Sequence, residues 1–312
     1  MIKMIHYNNL LKIVTLVSAL TVQIVLAAPE ITKPLIITTI KPLAIIAQSA
    51  VGDQARVEYL QSAVQSAHEV SLPVSALKKI DQAGLIIWIG ELFESRIAKS
   101  MQLLPQNKRI TVMQLPLSMP TDTDRQKNVG GDGDHSHGHG HSRLSAHSEL
   151  SAHSALRADP HVWLNPNNAN LIAAEIQQRL KLPVKEIISA DQIADLAAVL
   201  TPLSEKQFLV HHDALDHFTS VFNLQSGLSI RDASGASQGA RSQYRLRQAA
   251  IKTAASCIFV EPQYADRDAR VIAEELSLPI AVIDLQGLDQ PLNEDAYRHF
   301  MQTLVAQFKD CF

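Results

Sequence analysis

Short β-rich apolar runs alternate with helical patterns over most of the chain. Leu35–Ile40 reads as a strand, followed by a helix ending near Gly52 and a second strand at Arg56–Leu60. The helix Val74–Ala83, the apolar strand Leu85–Ile89, the helix Leu92–Leu104 and the strand Arg109–Gln114 continue the alternation. This order predicts a mostly parallel sheet covered by helices on both faces. The pattern then stops: from Pro116 to Pro160 Gly, Asp, Ser and His dominate, without periodicity. It resumes at Asn165, a good N-cap, with Pro166 suited to the first helical position and Asn170–Leu180 helical. After a helix at Asp191–Leu203, strands are expected at Phe208–Val210, Ser226–Ile230, Cys257–Glu261 and Pro279–Ile283. Helices near Leu215–Phe222, Ser242–Ala255, Arg267–Leu276 and Glu294–Lys309 alternate with them. The expected organisation is α/β. An N-terminal lobe (28–190) and a C-terminal lobe (205–312) flank a linker helix at 191–204, with 116–160 as a mobile insertion.

The first 27 residues break this scheme in a different way. Lys3 and Lys12 lie in a polar start, an apolar run extends from Ile13 to Leu26, and small residues follow at Ala27 and Ala28. This is the pattern of a cleavable secretory signal. The run is shorter than the ~20 residues a membrane span needs. No cysteine stands at the cleavage point to carry a lipid anchor. Loss of the two lysines takes the net charge from −3 to −5, so no basic excess argues for nucleic acid.

Export makes the two cysteines, Cys257 and Cys311, candidates for one disulfide tying the last helix to the strand that begins at Cys257. In the chain-entropy model such a loop is worth about 4 kcal/mol. Two buried thiols remain the alternative, and zinc ligation by the pair lacks a short Cys spacing to support it.

The unusual count is histidine, 13 in all, six of them between His135 and His153. In open α/β sheets ligands bind beyond the carboxyl ends of strands. That rule selects His68 after Arg56–Leu60, His212 after Phe208–Val210, Asp284 at the end of the last strand, and His161, just before a helix. Three imidazoles and a carboxylate suit zinc better than calcium or magnesium, although copper and nickel fit the same donors. The bland alternative for any one of them is a hydrogen-bonded loop histidine. His211, beside His212, should face the other way. His217 and His299 fall in expected helices and read as surface residues. His135, His137, His139 and His141 recur at alternate positions, a composition that binds metal, and flexibility there implies weaker sites.

Several segments in order resemble the zinc-binding component of bacterial ABC uptake systems, within the cluster A-I solute-binding proteins. They are Lys41-Pro-Leu, Ser66-Ala-His-Glu-Val-Ser-Leu-Pro, Leu85-Ile-Ile-Trp-Ile-Gly-Glu91, the His-rich loop and His161-Val-Trp-Leu-Asn-Pro166. Val210-His-His-Asp-Ala214, Cys257-Ile-Phe-Val-Glu-Pro-Gln263 and Cys311 complete the set. The resemblance implies two (β/α)4-like lobes with parallel sheets, joined by a rigid linker helix, with the metal in the cleft. It implies a periplasmic protein that captures Zn2+ and delivers it to an inner-membrane ABC permease; a monomer is expected. His68, His161 and His212 fall on the family's histidine ligands and Asp284 near its acidic one, and the cysteines match a disulfide of similar members. Histidine at 212, where manganese-binding relatives carry glutamate, resembles the zinc branch. Ala67 departs from enteric members, which carry glutamate there, so the fourth position is open to Asp284, water or a loop histidine.

The rival classes are a manganese or iron carrier of the same fold and a zinc hydrolase. Glu69 or Glu261 offers a general base for the latter, but no His-Glu-x-x-His helix exists, so no enzyme is expected. N-terminal sequencing of the exported protein should begin at Ala28; retention of Lys3 and Lys12 in the mature chain would refute cleavage.

Overall fold

The computed structural model describes residues 33–66, 73–120, 159–232 and 235–312. The expected signal segment, His68 and the loop histidines His135, His137, His139 and His141 lie outside these residues. Strands β1 (Leu35–Thr38), β2 (Arg56–Tyr59), β3 (Leu85–Trp88) and β4 (Arg109–Thr111) form one sheet in the order β2-β1-β3-β4. A second sheet of β5 (Leu209–His212), β6 (Leu228–Arg231), β7 (Ile258–Val260) and β8 (Ile280–Val282) repeats this order as β6-β5-β7-β8. Every pairing is parallel. In each sheet the chain steps outward from the first strand and then crosses to its other side. The crevice between β1 and β3, and between β5 and β7, is therefore the topological switch point where such sheets bind ligands.

The helices are α1 (Lys41–Val51), α2 (Val74–Gln82), α3 (Ala98–Gln102), α4 (Pro166–Arg179), α5 (Ala190–Leu200), α6 (Asp216–Val221), α7 (Ala240–Lys252), α8 (Arg267–Leu276) and α9 (Ala296–Lys309). None among the described residues is long and apolar enough to cross a membrane. Asn165 caps α4 by accepting from the Asn167 N–H, with Pro166 in the first turn. At α5 a capping box forms between Ser189 and Gln192, a signal the apolar pattern does not carry. The expected helix Leu92–Leu104 is realised only as α3. The Glu94 carboxylate accepts from the N–H groups of Ile89 and Gly90, which turns the chain back at the end of β3. Burial pushes that carboxyl up to about 7.

One apolar core joins both sheets. Alternate residues of β5 and β7 divide between two clusters, as period-2 geometry requires. Phe208, Val210 and Phe259 face the main core, while Leu209, Ile258 and Val260 face a smaller one under α7 and α8. Phe308 of α9 packs against both Phe208 and Phe259. The disulfide Cys257–Cys311 pins the end of this helix to the start of β7, with Cα atoms 5.8 Å apart.

The sheets meet along a seam of α1 and α9. All of α1 except Gln48 is buried. Its Lys41 ammonium donates to the Leu288 carbonyl at 2.6 Å, and burial lowers that lysine's pKa. Ser49 Oγ accepts from the backbone N–H of Tyr297, whose hydroxyl donates to the Trp163 carbonyl. The loop after β8 approaches α1 so closely that a Cβ at Gly287 would stand 2.6 Å from Ile45 Cδ1 and 3.1 Å from Phe300 Cδ2. Gly287 also has φ +64°, in the left-handed region that costs a side-chain-bearing residue energy. Gly287→Ala should therefore destabilise the metal-free protein by about 2 kcal/mol, read as a fall of several degrees in thermal midpoint. An unchanged midpoint would show that the seam tolerates a methyl group there.

Candidate metal centre

His212 ends β5, on the same face as Phe208 and Val210 and thus toward the main core rather than toward α7 and α8. Glu261 follows β7, the neighbouring strand across the switch point. His161 comes from the segment leading into α4, two residues after Asp159. Asp159 Oδ1 accepts both the backbone N–H of His161, at 3.0 Å, and its ring Nδ1–H, at 2.7 Å. The ring is also packed edge-on by Trp163 and Phe93. The Trp163 indole is itself held, donating to the Leu285 carbonyl at 2.9 Å. Glu261 Oε1 accepts from Nδ1 of His212 at 2.5 Å, and Gln263 donates to its other oxygen. Both imidazoles are 3% exposed, enough burial to make their partners compulsory.

These contacts decide where the ring lone pairs point. A carboxylate only accepts, so each ring carries its hydrogen on Nδ1 and leaves Nε2 as the ligand atom. The two Nε2 atoms face each other at 3.3 Å. Two nitrogens each about 2.0–2.1 Å from one tetrahedral zinc stand roughly 3.4 Å apart, so the pair already spans one edge of such a site. A shared proton or a metal ion between the two Nε2 atoms is compatible with this separation. His161, Trp163, His212, Glu261, Gln263, Tyr264, Leu285 and Gln286 line the pocket.

Electrostatics follow from the same contacts. For Asp159, burial alone would raise the carboxyl, but the neighbouring His161 outweighs it and holds the pKa below the usual range. For His212, burial alone would lower the imidazole, but the charge and hydrogen bond of Glu261 outweigh it and raise the pKa.

The other sequence-selected residues fall differently. The Asp284 carboxylate accepts from the backbone N–H groups of Gln286 and Leu288 and does not line the pocket, and burial raises its pKa. His211 is not among the pocket-lining residues and stacks on Tyr264, which is. His217 is not the surface residue its helical position suggested. It is fully buried, and its Nε2 donates to the Asp159 carbonyl at 3.0 Å. Its helix packs its N-terminal face inward, against the segment that carries His161. His299 is half-buried on α9. Among the described residues no three His, Cys, Asp or Glu side chains converge on one point; the facing histidines are the part of the candidate set brought together. Sequence reasoning missed Asp159 and the holding role of Glu261. The Asp-Pro-His spacing was a signal for the first; nothing local marked the second.

Fold and site together define a class: a two-lobed α/β binding protein with opposed imidazoles at a switch-point pocket. The chain belongs to the zinc-uptake complex component A periplasmic family (ZnuA), which matches residues 36–311. It is 29% identical over 290 residues to the high-affinity zinc uptake system protein ZnuA of Haemophilus ducreyi, covering 88% of this chain and 92% of that protein. It is 30% identical over 301 residues to the protein of that name from Paracoccus denitrificans, covering 89% and 91%. Among solved structures, a crystal structure of ZnuA superposes with TM-score 0.64 at 19% identity, covering 89% of this chain and 98% of that one. The periplasmic zinc binding protein TroA of Treponema pallidum gives 0.65 at 16%, covering 89% and 99%. Both show the same two-lobed fold.

The raised pKa sets the direction of the pH response. Protonated His212 persists above the ordinary imidazole value of about 6.5, and a metal must displace that proton. Metal-free, His212 contributes stability that is full below that ordinary value and lost as pH rises through the raised one. Glu261→Gln should lower the His212 titration midpoint, followed by NMR of the imidazole signals, and weaken zinc binding about 10–100-fold. An unmoved midpoint would show that Glu261 does not govern this ring.

Proposed function

We propose that the protein captures Zn2+ in the periplasm and delivers it to an inner-membrane ABC permease. The observation that carries this reading is the 3.3 Å separation of two Nε2 atoms whose Nδ1 positions are both tied to carboxylates. Family membership supports zinc as the cargo, since the relatives are named as zinc uptake proteins. The disulfide between Cys257 and Cys311 fits an oxidising compartment. His68 is the proposed third ligand. It follows Ser66 by two residues, and two extended residues reach no more than about 7 Å. Ser66 is hydrogen-bonded to Tyr264, which lines the same pocket. Asp284 is held by two backbone N–H groups and does not line the pocket, so water or a loop histidine competes with it for the fourth place. His135, His137, His139 and His141 form an auxiliary, weaker binding segment in this reading.

A solute-binding role asks for tight, reversible binding rather than catalysis, and metal bound to the folded state alone stabilises it by RT ln(1 + [L]/Kd). At zinc a hundredfold above Kd that is about 2.7 kcal/mol. Calorimetric titration of the chelator-stripped mature protein should show one tight zinc site that manganese does not displace at equal concentration. The combined change His68→Ala, His161→Ala and His212→Ala should abolish that site while leaving any weak loop binding. Tight binding that survives the triple change, or manganese binding that exceeds zinc, would overturn the proposal.

A further inference from the structure

Two hydrogen bonds connect the wall of this pocket to the residues just after β2. Tyr264 Oη and Ser66 Oγ lie 2.8 Å apart, and Gln286 donates from Nε2 to the Gln65 carbonyl at 3.0 Å. Tyr264 and Gln286 both line the pocket that contains His161 and His212. They come from different elements, the turn after β7 and the loop after β8, yet they hold consecutive residues on the other side. Gln61 fastens the same point from within, donating to the Ser66 carbonyl.

The tyrosine is aimed rather than loosely placed. His211 stacks on its ring with centroids 4.9 Å apart and planes at 11°. His212 meets the same ring edge-on at 5.2 Å. Consecutive histidines of β5 thus both brace Tyr264. His211, which the metal reading leaves without a task, acquires one here.

We propose that Tyr264 and Gln286 form an interlobe clip that sets the rate at which the bound metal leaves, with His211 holding Tyr264 in place. They are positioning residues: they fix residues 65 and 66, and thereby where the chain toward His68 departs. A ligand whose anchor is preorganised costs less ordering entropy on binding and leaves less readily. This inference rests on the zinc-site reading above, and its test separates the two.

The measurement is zinc release from the loaded, full mature chain into an excess of a chromophoric chelator by stopped flow. One neutral hydrogen bond corresponds to about a fivefold effect. Tyr264→Phe keeps the ring and its stack on His211, and should release zinc about fivefold faster. Ser66→Ala should do the same, the double variant should be no faster than either single one, and Ser66→Thr, which retains the hydroxyl, should stay at the wild-type rate. Gln286→Met cuts the second bond independently and should also accelerate release, with the metal-free melting temperature of every variant reporting that it is folded. Wild-type release rates in both single variants, or rates that multiply in the double one, would overturn the clip. If wild-type protein binds no zinc tightly, the site reading fails and the clip with it; tight wild-type binding with indifferent variants defeats the clip alone.

Discussion

Asp159 and Glu261 each accept a hydrogen bond from the Nδ1 of an imidazole, and those two contacts govern what the pocket can hold. By taking the only ring hydrogen of a neutral histidine, each carboxylate turns a lone pair toward the pocket. The two Nε2 atoms then face one another in a buried space. A cation between them is favoured for the same reason that their mutual approach is not. The carboxylates also make each imidazole a better donor to a metal, an effect general to carboxylate–histidine pairs. Proton and metal compete for the same nitrogen, which is why capture and release can respond to modest changes around the site.

The fold serves this arrangement by keeping the strand ends and the seam stationary. Parallel sheets with the order β2-β1-β3-β4 and β6-β5-β7-β8 bring the carboxyl ends of β5 and β7 side by side, and so bring His212 to Glu261. His161 is held from the other direction through a relay: Tyr297 to the Trp163 carbonyl, and the Trp163 indole to Leu285. Gly287 lets the loop after β8 lie directly on α1, while Lys41 ties the start of that helix to Leu288.

Much of the fold was legible because its information is local. Apolar runs, Asn165 with Pro166, and the helix Arg267–Leu276 are read from neighbours a few residues apart, and the structure reproduces them. The helix expected at Leu92–Leu104 failed because Glu94 bonds backward to Ile89 and Gly90, a choice the periodicity cannot express. The burial of His217 was illegible for a related reason. A six-residue helix has too few positions for an amphipathic pattern to show which side is covered.

The sequence alone determined the alternation of strands and helices, the surplus of histidine and the placement of three candidate ligands after strands or before a helix. Those follow from residue type and near-neighbour spacing, which backbone geometry translates directly. Only the tertiary structure decided which groups meet. Glu261 is 49 residues from His212, and His161 is 51 residues from it. No local rule relates residues so distant. Their contact is set by crossover connections and by the close packing of two sheets, which bring donor and acceptor within hydrogen-bonding range only after the whole core has formed.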